Sequence, residues 1–225
     1  MNALRHEARI ALAIAAKDAR AELRGRNAVV STLFFAAVVL LLFGFALGPD
    51  AARLAAAAPG LLWLAVVFGG VLAVGRLHVL ETDDGALEHL ARYPIPRRAI
   101  YAGKAIAGLG VMLVLGAVAV LYAVDIAAAW PALLATVVLG AVGIAAVGTC
   151  YAGLTVRLRA REVMLPLLML PVLAPLLLGA VKATGAALAG DPFGELGAWL
   201  QLLVAFDVIM VVAGAATYGY LLEDG

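Results

Sequence analysis

The sequence predicts an all-α integral membrane protein: a six-transmembrane-helix bundle preceded by an amphipathic interfacial helix. Three observations carry this. The 225-residue chain is 65% hydrophobic and only 14% charged, whereas a soluble domain carries about a quarter charged residues. Its apolar residues gather in six runs, each near or above the ~20 residues that cross a bilayer as a helix. None of the runs alternates over ~10 residues as a transmembrane strand would. A helix, in contrast to an open strand, satisfies its own backbone hydrogen bonds in hydrocarbon.

The first element is predicted over residues 1–27, "MNALRHEARIALAIAAKDARAELRGRN". Leu4, Ala8, Ala11, Leu12, Ala15, Ala16, Ala19 and Leu23 recur at helical spacing, with charged residues between them. A basic amphipathic helix of this kind lies along the membrane interface, either as an anchor or as a lever to a cytoplasmic partner. It precedes the first apolar run, so no cleavable signal peptide is expected.

Residues 28–225 are expected to form the bundle, with spans at Ala28–Leu47, Pro59–Leu80, Gly103–Val124, Pro131–Val156, Val163–Val181 and Ala198–Leu222. In the first, Gly44 and Gly48 make a small-xxx-small pair suited to close helix approach, and Pro49 stops the helix. Asp50 opens a short outside loop, and Pro59 falls in the first turn of the second span, where proline is tolerated. Pro166, Pro171 and Pro175 each remove a backbone donor, so the fifth span is expected to be kinked or broken, a bend that channels and transporters use. The connection Lys182–Gly197 is the longest outside loop, with room for a re-entrant hairpin. Asp207 lies deep in the sixth span. There it is either a proton or substrate contact or a neutral acid bonded to a neighbouring helix.

Orientation follows from lysine and arginine. Fourteen of the sixteen precede the first span or lie in the second and fourth connections, leaving Arg53 and Lys182 for the other side. The positive-inside rule therefore places both termini in the cytoplasm. The single cysteine, Cys150, excludes an intramolecular disulfide.

One polar island interrupts this pattern, "ETDDGALEHLARYPIPRR" at Glu81–Arg98. Thr82, Asp83 and Asp84 are N-cap types, and Glu88 favours the positive end of a helix dipole. Leu87, Leu90 and Ala91 share a face, and Pro94 stops the helix. A short helix near 82–94, ordered before it binds, suits docking better than an idle loop does.

These residues also carry a resemblance. The run "LAAAAPGLLWLAVVFGGVLAVGRLHVLETDDGALEHLARYPIPRRAIYAGK" resembles the cytochrome c maturation family CcmB, the permease-type subunit of a haem exporter ABC complex. The "FGFALGPD" stop and the proline-rich fifth span come in that family's order. The resemblance implies a bacterial inner-membrane, multi-pass half-transporter similar to ABC-2-type permeases. Its partners would be a CcmA-like ATP-binding subunit, CcmC-like and CcmD-like membrane proteins and a CcmE-like haem chaperone, and a homodimer is compatible with it. By position, Asp83, Asp84, Gly85, Leu87, Glu88, Leu90 and Pro94 would contact the ATPase. Residues 1–27 would be the connecting helix. ATP hydrolysis would drive release of the haem-loaded chaperone.

No G-x-x-x-x-G-K-[ST] is present, since Gly103–Lys104 is followed by Ala105. ATP and Mg are therefore expected in a partner, and this chain is expected to be non-catalytic, without a metal or nucleic-acid site. His6, His78 and His89 all fall on the expected cytoplasmic side. An outside axial histidine for haem is thus lacking, and the iron is expected in a partner. The alternative is an ABC-2-type permease exporting a lipid, drug or polysaccharide. Its pathway would draw on Asp207, Tyr122, Gln201 and Thr136, a thin lining.

Overall fold

The computed structural model describes residues 2–24, 26–83, 95–123, 129–155 and 161–223. These form α1 (Asn2–Arg24), α2 (Arg26–Leu47), α3 (Ala51–Asp83), α4 (Arg97–Ala123), α5 (Trp130–Thr155), α6 (Arg161–Leu188) and α7 (Leu196–Glu223). Among the described residues there is no strand. Helices α2 to α7 overlie the six apolar runs. Four of them hold a stretch long and apolar enough to cross a bilayer: Ala52–Arg76, Trp130–Thr155, Met164–Leu188 and Leu196–Tyr218. Helix α2 contributes the shorter apolar stretch Ala37–Leu47.

Helix α5 occupies the centre, packed against α3, α4, α6 and α7. Small residues put it there, because hydrocarbon offers helices little hydrophobic drive and association rests on close packing. A Cβ at Gly140 would collide with the Trp63 ring of α3, and one at Gly143 with Leu176 of α6. The Trp63 indole Nε1 donates to Thr184 Oγ1 on α6 at 2.9 Å, and that hydroxyl donates to the Ala180 carbonyl at 2.7 Å. Around this axis Met112, Ile144, Met169, Leu173 and Leu203 are completely buried. Helix α7 instead turns Val208, Ile209 and Val212 outward, as a helix facing lipid does.

Four features differ from expectation. Helix α3 begins at Ala51, so Pro59 lies inside it rather than in its first turn. Asp50 is the reason: its Oδ1 accepts from the backbone N–H groups of Ala52 at 2.9 Å and Arg53 at 3.3 Å, capping the helix. Helix α6 is one continuous helix through Pro166, Pro171 and Pro175, so the expected break is absent. It also runs to Leu188, past Lys182, which shortens the 182–197 loop to residues 189–195. That turn is closed by Asp191, whose N–H bonds the Ala186 carbonyl at 2.8 Å. The Asp191 Oδ1 accepts from Glu195 and Leu196 at the start of α7, at 2.8 and 3.1 Å. Asp191 holds φ 51° and Gly190 and Gly194 hold 74° and 67°, left-handed values that glycine and aspartate tolerate. Finally, Gly48 ends α2 with φ 74°, and nothing lies within 4 Å of a Cβ placed on Gly44 or Gly48. Among the described residues, that pair therefore makes no close helix contact.

Candidate functional site

Charges converge where α1 lies against α4 and the end of α3. Along α1, Glu7, Asp18 and Glu22 are eleven and four residues apart, spacings that return to one face of a helix. Each meets a cation from the bundle. Glu7 Oε1 accepts from Arg98 Nη2 at 2.7 Å, Asp18 Oδ2 lies 3.7 Å from Lys104 Nζ, and Glu22 Oε1 lies 3.7 Å from Arg76 Nη2. Lys17 adds a contact to Asp18 Oδ1 at 3.2 Å.

The three pairs are not energetically alike. The Arg98 side chain is 64% exposed, and an ion pair of that kind contributes roughly 0–1 kcal/mol. Lys104 and Asp18 are both buried, at 0% and 4% side-chain exposure. Burial of Glu22 pushes its carboxyl above the usual carboxylate range, and the Arg76 guanidinium draws it part of the way back.

Apolar contacts lie between the charges. Ala11, Ile14 and Ala15 are buried, and Gly103 lets the α1 backbone approach α4. A Cβ on Gly103 would sit 2.8 Å from the Ala11 carbonyl oxygen and 2.8 Å from Ile14 Cβ. Ile14 packs with Ile100, Tyr101 and Tyr218. The two tyrosine rings are 5.5 Å apart and tilted by 53°. The Tyr101 hydroxyl donates to the Ala146 carbonyl of α5 at 3.2 Å, which ties this cluster to the central helix.

This corrects the expected apolar stripe. Ala11 and Ala15 do face inward, but Leu12 is 59% exposed and Ala8 and Ala19 point outward. The helix is rotated toward its acids because each acid finds a cation on α3 or α4. Arg76 precedes, and Arg98 follows, the connection at residues 84–94. Both sides of that connection are therefore held by α1.

A second feature lies inside the bundle. Asp207 on α7 is 6% exposed, and neither carboxyl oxygen has a hydrogen-bond partner among the described residues. Its Oδ1 is 2.6 Å from where a Cβ on Gly143 would stand, so the glycine of α5 makes room for the carboxyl. Thr136 is not part of this feature, since its hydroxyl donates to the Ala132 carbonyl one turn back at 2.8 Å. Gln201 is exposed, and the Tyr122 side chain lies outside the description. Among the described residues, neither Thr136 nor Gln201 is hydrogen-bonded to Asp207.

With this geometry in place, comparison with known proteins is decisive. The profile of the family described as "CcmB protein" matches residues 9–220. The chain belongs to the CcmB family. A relative named "Heme exporter protein B" from Bradyrhizobium diazoefficiens is 30% identical over 219 residues, covering 95% of this chain and 97% of its own. One of the same name from Paracoccus denitrificans is 31% identical over 209 residues, covering 91% and 96%. Another, from Rhodobacter capsulatus, is 36% identical over 172 residues, covering 74% and 78%.

Of the coupling residues that the CcmB resemblance implied, Asp83 lies in the last turn of α3. Thr82 and Asp83 are helical and are the last described residues of that helix. Asp84, Gly85, Leu87, Glu88, Leu90 and Pro94 lie outside the described residues, as does His89. Pro166, Pro171 and Pro175 line α6, with Pro171 and Pro175 facing outward. Sequence reasoning missed the acids of α1 and their cations. One signal was available: Lys104 lies within an otherwise apolar run, and a lysine there requires a partner.

Proposed function

We propose that this chain is the membrane subunit of a haem exporter complex in the bacterial inner membrane, with six spans and both termini in the cytoplasm. In this reading a separate CcmA-like subunit binds ATP and Mg and docks on residues 82–94. CcmC-like and CcmD-like proteins and a CcmE-like chaperone handle the haem. ATP hydrolysis by the partner moves α3 and α4, and that movement releases the loaded chaperone.

Family membership supports the subunit assignment, and one geometric observation supports the coupling role. Arg76 and Arg98, on either side of the docking segment, are both paired with acids of α1. A push on that segment is thereby shared by three helices. An isolated loop would transmit none of it.

The test is affinity purification of the tagged chain from membranes. An ATP-binding subunit and haem-binding proteins are expected to co-purify. Leu87→Asp combined with Leu90→Asp should remove the ATPase and abolish c-type cytochrome production while the chain stays membrane-inserted. Retention of both the ATPase and the cytochromes would sink the coupling assignment.

Asp207 is proposed as the intramembrane contact whose protonation or partner follows the cycle. Asp207→Asn keeps the shape, so insertion and melting temperature should hold while turnover of the complex falls by about tenfold or more, the weight of one charged contact. Unchanged turnover would assign the carboxyl to packing alone.

A further inference from the structure

A groove runs between α4 and α7 with α5 as its floor, enclosing about 240 Å³. One wall is a single stripe of α4: Arg98, Tyr101, Ala102, Ala105, Ile106 and Leu109. Ala145 and Ala146 form the floor, and Val211 and Ala215 the far wall. The alanines create the space. Ile106 and Val211 are 42% and 40% exposed at the rim, so the groove opens sideways onto the lipid-facing surface.

Three properties specify its occupant. The lining is apolar except at one end, where Arg98 stands and Arg97 precedes it. The stripe from Arg98 to Leu109 covers eleven helical rises, about 16 Å at 1.5 Å each. That is close to half of the ~30 Å hydrocarbon core, the depth of one leaflet. The volume is also below the ~300–1,000 Å³ of pockets that enclose drug-sized ligands, which favours a single chain.

We propose that this groove is a binding site for an anionic phospholipid of the cytoplasmic leaflet. One acyl chain lies along α4, and the phosphate rests at Arg98. The leaflet assignment rests on the orientation proposed above; the apolar trough does not. Arg98 gives Nη2 to Glu7, but a guanidinium carries five N–H donors and this one is well exposed. A basic end on a crevice between membrane helices is a common anionic-lipid signature. The lipid would seal the gap between α4 and α7 and connect the α1 clasp to the surrounding membrane.

The test uses the purified full chain without partners, so its outcome is separable from that of the coupling proposal. Delipidated protein is titrated with phosphatidylglycerol and with phosphatidylcholine, and bound lipid is counted by native mass spectrometry. The unaltered chain should retain phosphatidylglycerol in preference. Ala105→Leu, which fills the groove, should weaken its binding by about tenfold. Arg98→Gln should bind both lipids equally. Equal binding by Ala105→Leu and the unaltered chain, or an unchanged preference in Arg98→Gln, would overturn the site. So would occupation of the groove by a second copy of the chain or by added haem in place of the lipid. A photoactivatable acyl chain on phosphatidylglycerol needs no substitution. It should label 98–109 and 211–215, and labelling confined to other helices would also overturn the proposal.

Discussion

Lys104→Met should free α1 from the bundle. The substitution keeps the length and apolar stem of the side chain but deletes the cation, leaving Asp18 at 4% side-chain exposure beside an uncharged neighbour. Lys17 still touches Asp18, yet Lys17 is itself half exposed, so its charge is screened. Removing one partner of a buried pair costs about 3–5 kcal/mol, more than the pair itself contributes, because the remaining charge is stranded. The readout is trypsin cleavage at Arg20 and Arg24 together with the melting temperature in detergent. Cleavage should accelerate sharply, since α1 must leave its site to be cut. Asp18→Asn added to Lys104→Met should recover most of the loss, because no charge is then stranded. A cleavage rate unchanged in the single variant would show that Ala11, Ile14 and Ala15 hold α1 without the ions.

The second large effect is expected at the centre. Gly140→Val places a branched side chain where α5 receives the Trp63 ring. That ring is 1% exposed and its Nε1 is bonded to Thr184, so it cannot withdraw without stranding a buried indole N–H. Overpacking alone costs about 1–3 kcal/mol, and losing the hydrogen bond adds roughly 1 kcal/mol more. The melting temperature should fall, and Trp63→Ala in the same chain should restore part of it by reopening the space. Additive losses from the two substitutions would contradict the contact.

The helices and their order were legible because a bilayer imposes one crude requirement, a long apolar run, and four of the described helices satisfy it. Asp207 was legible as buried for the same reason, since apolar residues flank it on both sides. Its closeness to Gly143 was not, because nothing in sequence relates residues 64 positions apart. Lys182 was taken as the end of a span, but a lysine near a helix end extends its amine toward water while the helix continues. The acids of α1 were the costliest omission. Glu7, Asp18 and Glu22 look like solvated positions on an interfacial helix, and only Arg98, Lys104 and Arg76 make them inward-facing. In sequence, Gly103–Lys104 reads as a phosphate-binding motif lacking its Ser/Thr and as one more cation of the cytoplasmic side. In the fold its glycine admits a second backbone and its lysine neutralises a buried acid.

The clasp on α1 also fixes a schedule for biogenesis. Lys104 follows Asp18 by 86 positions. At ~5–20 residues per second, α1 leaves the ribosome about 4–17 s before its innermost counter-ion exists. Until then Asp18 belongs in water, and a segment held there is open to chaperones, proteases and premature partners. The earliest of the described helices is therefore secured late. A nascent chain arrested before α4 would present an unlatched N-terminus, while one arrested just after it would not.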